Sequence, residues 1–367
     1  MGRQMAPLLH KRRKPRIRPE YSMPVVSFLL MAIAYGSQSS FGVFFKPMLN
    51  EFGWTRTVTS GPYSLYMIVS GLLGIVAGRL SDRFGPRRVV TFGGIFLGLG
   101  YLLMSRISSL WQLYIFYGVL VAIGTCVFFV SLASMIARLF VKRRGLMTGI
   151  AVAGTGFGIA IVPHIAAQMI VSYSWRVSLL IVGAVALVLI VSLAQFLRGE
   201  PDNIKPPASN DNIEVNAVAP SRGLSFEEAL RTRQFWMLCG IWFLYGFYVQ
   251  AAIVHMVPHA TDLGMSAVAA ATILTTIGAL GAVGRVTLGL ASDRLGNRVI
   301  LVSSSALLSA VFWGLSAVGT VWMLYLFAVI FGFFSGCMVV MSPTVAEIFG
   351  LRALGTILGA ISLAWSI

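Results

Sequence analysis

Arg285 is the first residue whose chemistry calls for an explanation. It lies in an apolar stretch eight positions before Asp293, roughly 12 Å along a helix from the nearest charged turn. An arginine at that depth of a bilayer costs several kcal/mol and is a functional candidate whose partner has to be named. The twelve acidic residues, Glu20, Glu51, Asp82, Glu200, Asp202, Asp211, Glu214, Glu227, Glu228, Asp262, Asp293 and Glu347, all fall in tails, connections or helix ends. None supplies a carboxylate at mid-membrane, so the expected partner is an anion in transit, which a planar guanidinium grips bidentately. Snorkelling towards the basic end, or bonding to backbone carbonyls, would satisfy the side chain otherwise. Further binding candidates come from two corresponding stretches: Tyr35 and Gln38, flanked by Ser37 and Ser39, and Tyr245, Tyr248 and Gln250. Each could instead make an ordinary interhelical hydrogen bond, although polar groups in both halves are what a midplane site requires. A histidine side chain can carry protons near neutral pH, which makes His164 and His255 candidates of that kind, and His255 is the candidate for proton coupling.

A second constellation is duplicated. GRLSDRFGPRRV from Gly78 overlays GLASDRLGNRVI from Gly289, so Gly78, Asp82, Arg83, Gly85 and Arg87 have counterparts in Gly289, Asp293, Arg294, Gly296 and Arg298. The glycines permit a tight turn, and each carboxylate is placed to face a helix N-terminus or an arginine. These residues, Asp293, Arg294 and Gly296 included, are the gating candidates: a latch between neighbouring helices.

The elements that must position these groups are membrane helices. With 57% apolar and 11% charged residues, the chain lies outside the soluble range of about 45–50% and 25%. Spans of about 20 apolar residues are expected near 24–46, 58–77, 88–105, 110–137, 146–172 and 177–197, then 234–258, 267–291, 299–318, 321–345 and from Gly355 onwards. The fold class is all-α integral membrane: a basic tail (1–23), a six-helix bundle (24–197), a polar linker (198–231) in which Ser225 to Leu230 forms a short capped helix, and a second bundle (232–367). The repeat offset carries the end of the sixth span to about residue 408, so the second bundle is expected to be incomplete, lacking most of helix eleven and all of helix twelve. Of 28 Lys and Arg residues, 23 fall on one side, which places the N-terminus and linker in the cytoplasm and makes this a multi-pass protein of the cytoplasmic (inner) membrane. That topology, rather than nucleic-acid binding, accounts for the net charge of +16. Cys126, Cys239 and Cys337 lie in apolar segments without metal-ligand spacing, so neither a metal nor a cofactor is expected.

GRLSDRFGPRR resembles the loop motif between helices two and three of the major facilitator superfamily, departing from it at Pro86. LFVKRRGLMTGIAVAG, with Phe140, Lys142, Arg143, Arg144, Gly149, Ala151, Ala153 and Gly154, resembles the helix-five signature of the monocarboxylate porters, and GVFFKPMLNEFGW looks like bacterial members of that group and of the oxalate and formate exchangers. The resemblance covers essentially the whole chain. It implies twelve helices, alternating access, a loop motif that stabilises the outward-facing state, and an arginine within a run like GRVTLG, here Arg285, that binds the substrate carboxylate. The porters' helix-one lysine falls at Ser39, and their helix-eight aspartate at Gly281. These departures put their mode of proton symport in doubt and leave exchange, uniport, or coupling to protons or a counter-anion open.

The function expected is therefore secondary transport of a small organic anion, a monocarboxylate, by a monomer in the lipid bilayer. Multidrug or other solute export, and an inactive truncated remnant, are the alternatives; GTGFGIAIVPHIA lacks the glycine–proline motif of drug antiporters. An enzyme is not expected, since the sequence has no HExxH pair and no GxSxG elbow.

Overall fold

The computed structural model describes residues 21–197, 223–315 and 320–366; the basic tail up to residue 20 and most of the linker lie outside them. Among the described residues every regular element is helical. The first set comprises α1 (Ser22–Ser39), α2 (Phe41–Phe52), α3 (Arg56–Phe84), α4 (Pro86–Met104), α5 (Leu110–Leu113), α6 (Ala122–Leu139), α7 (Arg144–Ser172) and α8 (Trp175–Ala194). After the short α9 (Phe226–Leu230), the second comprises α10 (Arg233–Asp262), α11 (Ala267–Leu295), α12 (Asn297–Gly314), α13 (Val321–Ser335), α14 (Met341–Phe349) and α15 (Leu354–Leu363). Ten helical spans are long and apolar enough to cross a bilayer, and α15 is a shorter apolar helix. Their starts follow the rule that a Ser or Thr hydroxyl accepts from a first-turn amide: Thr55, Ser174, Thr232 and Ser266 cap α3, α8, α10 and α11. Ser225 and Glu228 form a reciprocal capping box on α9, so the short helix read in the linker is present.

Lipid gives helices no hydrophobic reason to associate, so close backbone approach between small residues has to supply it. A methyl group added to Gly154 or Gly158 of α7 would strike the carbonyls of Phe28 or Ala32 of α1, and α3 meets α15 in the same way through Gly74 and Gly78 against Gly359 and Gly355.

Three spans depart from regular α-helix. The first span breaks at Ser40, where the Ser39 and Ser40 hydroxyls both donate to the Gly36 carbonyl at 2.9 Å. Carbonyls near such a break still need donors at membrane depth. Tyr101 of α4 donates to the Ser37 carbonyl at 2.7 Å, and Tyr117 donates to that of Gln38 at 3.3 Å. Tyr117 itself lies in a π-helical segment, Tyr114–Val121, that joins α5 to α6. The third departure is a 3-10 segment, Gly336–Val340, between α13 and α14. Tyr101 is fully buried, so Tyr101→Phe removes one of two donors to the Ser37 carbonyl, which keeps the Ser40 amide at 3.0 Å. A loss of about 1–2 kcal/mol is expected, read as a lowered unfolding temperature in detergent; an unchanged temperature would show that water or another donor replaces the phenol.

Candidate functional site

Arg285 is fixed by three packing contacts that follow from small residues on its neighbours. Methyl groups built on Gly149 of α7 and on Gly336 of the 3-10 segment would collide with the Arg285 carbonyl and amide nitrogen respectively, and one on Gly156 of α7 would occupy the place of Nη1. The backbone is thereby wedged between α7 and the 3-10 turn, and the guanidinium is laid over Gly156 across the boundary between the two helix sets. The residue as a whole is half-buried. Its Nε and Nη1, however, are shut off from solvent and have no hydrogen-bond partner among the described residues. The two N–H groups lie on different edges of the guanidinium, and each edge has hydrogen-bonding capacity that the described residues do not use.

Tyr245 is the titratable neighbour of Arg285. Its hydroxyl donates to the Ser335 carbonyl, and its ring stacks on Trp242 at 5.4 Å and tilts against Trp365 at 5.3 Å. Phe129 of α6 faces Trp242 from the other set at 6.3 Å. The arginine head thus sits beside an aromatic cluster built largely from α10 and the end of the chain.

The other candidates divide. Gln38 and Gln250, from opposite sets, both lie near the phenol of Tyr63 of α3. Tyr63 was not legible as a site residue: it lies in an unremarkable run, SGPYSLY, and only the packing of α3 against the broken first span brings it inward. Tyr35 turns into its own set, towards the Phe129 backbone and Tyr66. Tyr248 bonds Ser309 of α12 at 3.1 Å and packs on Phe312. Both make the interhelical contacts that the sequence left open for them. His255 is an exposed position on α10. Ser39 caps Gly36, and Gly281 lies under Gly332 and Ser335 of α13.

At the end carrying the basic turns, the duplicated carboxylates do matching work. Asp82, in the last turn of α3, accepts from the Gly355 amide at 3.0 Å and from the Thr356 amide and hydroxyl at 2.9 Å each, so it caps the N-terminus of α15. Asp293, in the last turn of α11, accepts from the amides of Gly145 at 2.7 Å and Leu146 at 2.9 Å, so it caps the N-terminus of α7. In each case a carboxylate from one set sits on the positive end of a helix from the other, which favours it by charge as well as by hydrogen bonding. The copies differ in their cations. Asp82 also pairs with Arg138 of α6, whereas Arg144, the basic neighbour of Asp293, spends its Nε on the carbonyls of Ala137 and Phe140. Gly85 and Gly296, which end α3 and α11 with φ of 82° and 93°, hold backbone that side chains rarely adopt. Arg83 and Arg294 are exposed, Arg83 lying over the ring of Phe84. Arg87 forks onto Gln195 at 3.1 and 2.6 Å. Ser342 of α14 adds a third tie at this end through the Ala133 carbonyl of α6 at 3.0 Å.

A family model described as the Major Facilitator Superfamily matches residues 27–367. Monocarboxylate transporter 12 of Mus musculus is 28% identical over 353 residues, covering 88% of this chain and 70% of that protein. The uncharacterized MFS-type transporter YhjX of Escherichia coli strain K12 is 26% identical over 356 residues, covering 94% and 85%. Among solved structures, the human organic anion transporter MFSD10 superposes with a TM-score of 0.73 over 95% of this chain and 92% of that one, at 15% identity, which speaks for the fold alone. With a matched model over nearly its whole length, apolar helices that span a bilayer and the same architecture in solved transporters, this chain belongs to the Major Facilitator Superfamily of membrane transporters.

Proposed function

We propose that this chain is a secondary active transporter that moves a small organic anion, a monocarboxylate, across the cytoplasmic membrane by alternating access, with Arg285 pairing the substrate carboxylate. The observation that carries the reading is the pair of buried, unpartnered nitrogens on Arg285. A buried cation without a counter-charge is costly, and an incoming carboxylate removes that cost while the site holds it. The names of relatives such as monocarboxylate transporter 12 point the same way.

On this reading the N-terminus and the basic turns are cytoplasmic, and the two aspartate caps close that end. Asp82 and Asp293, with the turns at Gly85 and Gly296 and the close approach at Gly78, are then the gate, and opening it means undoing both caps. His255, exposed on α10, is the candidate for proton coupling.

The test is uptake of labelled mono- and dicarboxylates into proteoliposomes, with and without internal anion, by the parent protein and by Arg285→Ala. Uptake lost in the variant while the protein remains folded supports the reading, and dependence on internal anion identifies an exchanger. Uptake that ignores Arg285→Ala, or no carboxylate uptake at all, would turn the search to neutral or cationic solutes.

A further inference from the structure

The five glycines of α7 do not meet the same kind of neighbour. A methyl group on Gly145, Gly149, Gly154 or Gly158 would stand 2.0–2.4 Å from a backbone carbonyl of α11 or α1, so helix association accounts for all four. Gly156 is buried and differs from them. The nearest atoms to its methyl would be Arg285 Nη1 at 2.4 Å, Ala282 Cβ at 3.4 Å and Arg285 Cζ at 3.6 Å, all of them side-chain atoms. The end of an arginine can move aside, so the approach of α7 to α11 does not by itself require glycine at this position. Glycine inside a helix also loses more conformational freedom on folding than alanine would, which leaves its presence at 156 to be explained.

The direction of the arginine supplies the explanation. α7 and α11 run antiparallel from the end carrying the basic turns: Gly145 meets Gly289 and Asp293, and Gly149 meets the Arg285 backbone. Arg285 Nη1, in contrast, lies against Gly156, seven residues further along α7 and so about two turns deeper. The side chain leans over Ala282, towards the N-terminus of α11 as helical side chains do, and the guanidinium points away from the basic end instead of snorkelling to it. That is the costlier direction for a cation in a membrane helix, and Nε and Nη1 meet no acceptor there among the described residues.

Resting on the anion reading of Arg285, we propose that Gly156 is the positioning residue for the guanidinium: its missing side chain keeps open the space into which Arg285 extends, and so holds the donors where an anion inside the membrane can reach them. A methyl group at 156 would leave Nη1 about 1 Å short of an ordinary contact at 3.4 Å, and the relief open to the side chain is to swing its head away from this seat. Gly156 belongs to the first helix set and Arg285 to the second, so neither set holds the guanidinium in place alone.

The test is calorimetric titration of the purified chain in nanodiscs with acetate, 2-hydroxypropanoate and benzoate, together with thermal unfolding in detergent. For whichever of these binds the parent protein, Gly156→Ala is expected to weaken binding about tenfold while the unfolding temperature holds or rises. Gly149→Ala, whose methyl meets the Arg285 carbonyl, is expected to lower that temperature. In an Arg285→Lys background, where no Nη1 is left to displace, adding Gly156→Ala should change affinity by less than about twofold. Parent-like affinity in Gly156→Ala, a loss that persists in the lysine background, or a loss accompanied by the same fall in unfolding temperature as Gly149→Ala overturns the seat; if Arg285→Ala abolishes binding in that case, the anion reading stands without it. If Arg285→Ala binds as the parent does, or no carboxylate binds the parent, the anion reading falls and takes the seat with it.

Discussion

Replacing Arg285 by methionine is expected to cut carboxylate binding and uptake by about 100-fold or more and, at the same time, to make the ligand-free protein more stable. The first effect follows from the guanidinium head, whose Nε and Nη1 have no acceptor among the described residues; a carboxylate that meets either edge, Nε with Nη2 or Nη1 with Nη2, makes two charge-assisted bonds. A charge-assisted hydrogen bond contributes about 1.5–3 kcal/mol, so losing two exceeds the roughly 2.8 kcal/mol that corresponds to a factor of 100. The second effect follows from the same absence. An arginine at the centre of a membrane helix costs about 2.5–3.5 kcal/mol on insertion scales, and methionine removes that cost while keeping most of the side-chain length that packs over Gly156. Thermal unfolding in detergent reads the stability, and proteoliposome uptake reads the function. Arg285→Lys should fall between parent and methionine variant in uptake, because it keeps the charge and loses the fork. A methionine variant less stable than the parent would mean that the guanidinium is paid for inside the protein, and the case for a missing anion would collapse.

The second large effect is expected at the caps, and it should be unequal. Asp82→Asn weakens three hydrogen bonds to α15 and removes the charge that pairs with Arg138. Asp293→Asn weakens two bonds to α7, and among the described residues no arginine forms an ion pair with that carboxylate as Arg138 does with Asp82. Neutralising one partner of this partly buried pair leaves the Arg138 charge without its partner, so on the gate proposed above Asp82→Asn is expected to cost the capped arrangement about 2–4 kcal/mol and Asp293→Asn about half of that. A shift of about 2.7 kcal/mol changes a two-state ratio by about 100-fold. Spin labels at Phe84→Cys and Arg352→Cys, in a background without Cys126, Cys239 and Cys337, would report the opening as a longer distance population. Equal effects of the two substitutions would show that Arg138 adds nothing to the closed state.

Much of the frame could be read from the chain alone. The number and order of the spans follow from hydropathy, and the repeat of Asp82 in Asp293 marks where two helix ends must be held. The helix ends that those aspartates cap could not be read, because each lies in the other helix set, 147 residues or more away along the chain. The break in the first span was likewise hidden. No proline stands there; hydroxyls at Ser39 and Ser40 compete for a carbonyl, and the phenols that make the break tolerable come from α4 and from a π-helical segment. Arg285 was legible because a charge in an apolar run is conspicuous. Tyr63 was not, because a tyrosine near a span end is ordinary until its packing against Phe41 and Tyr66 is known. Which face of a helix meets which neighbour is settled by small-residue contacts such as Gly149 and Gly336 on Arg285, and those are properties of pairs.

The aspartate caps also carry a consequence for water. Four backbone amides, those of Gly145, Leu146, Gly355 and Thr356, spend their hydrogen bonds on two carboxylates at the end carrying the basic turns. On the gate proposed above, parting α3 from α15 and α11 from α7 leaves the amides and the carboxylates in need of new partners, and solvent is the abundant one. Opening therefore takes up water as a reactant, and its equilibrium depends on how freely water is available. Concentrated osmolytes too large to enter the cleft should hold the protein closed at that end, so that its conformational cycle slows under osmotic stress even when substrate and membrane are unchanged.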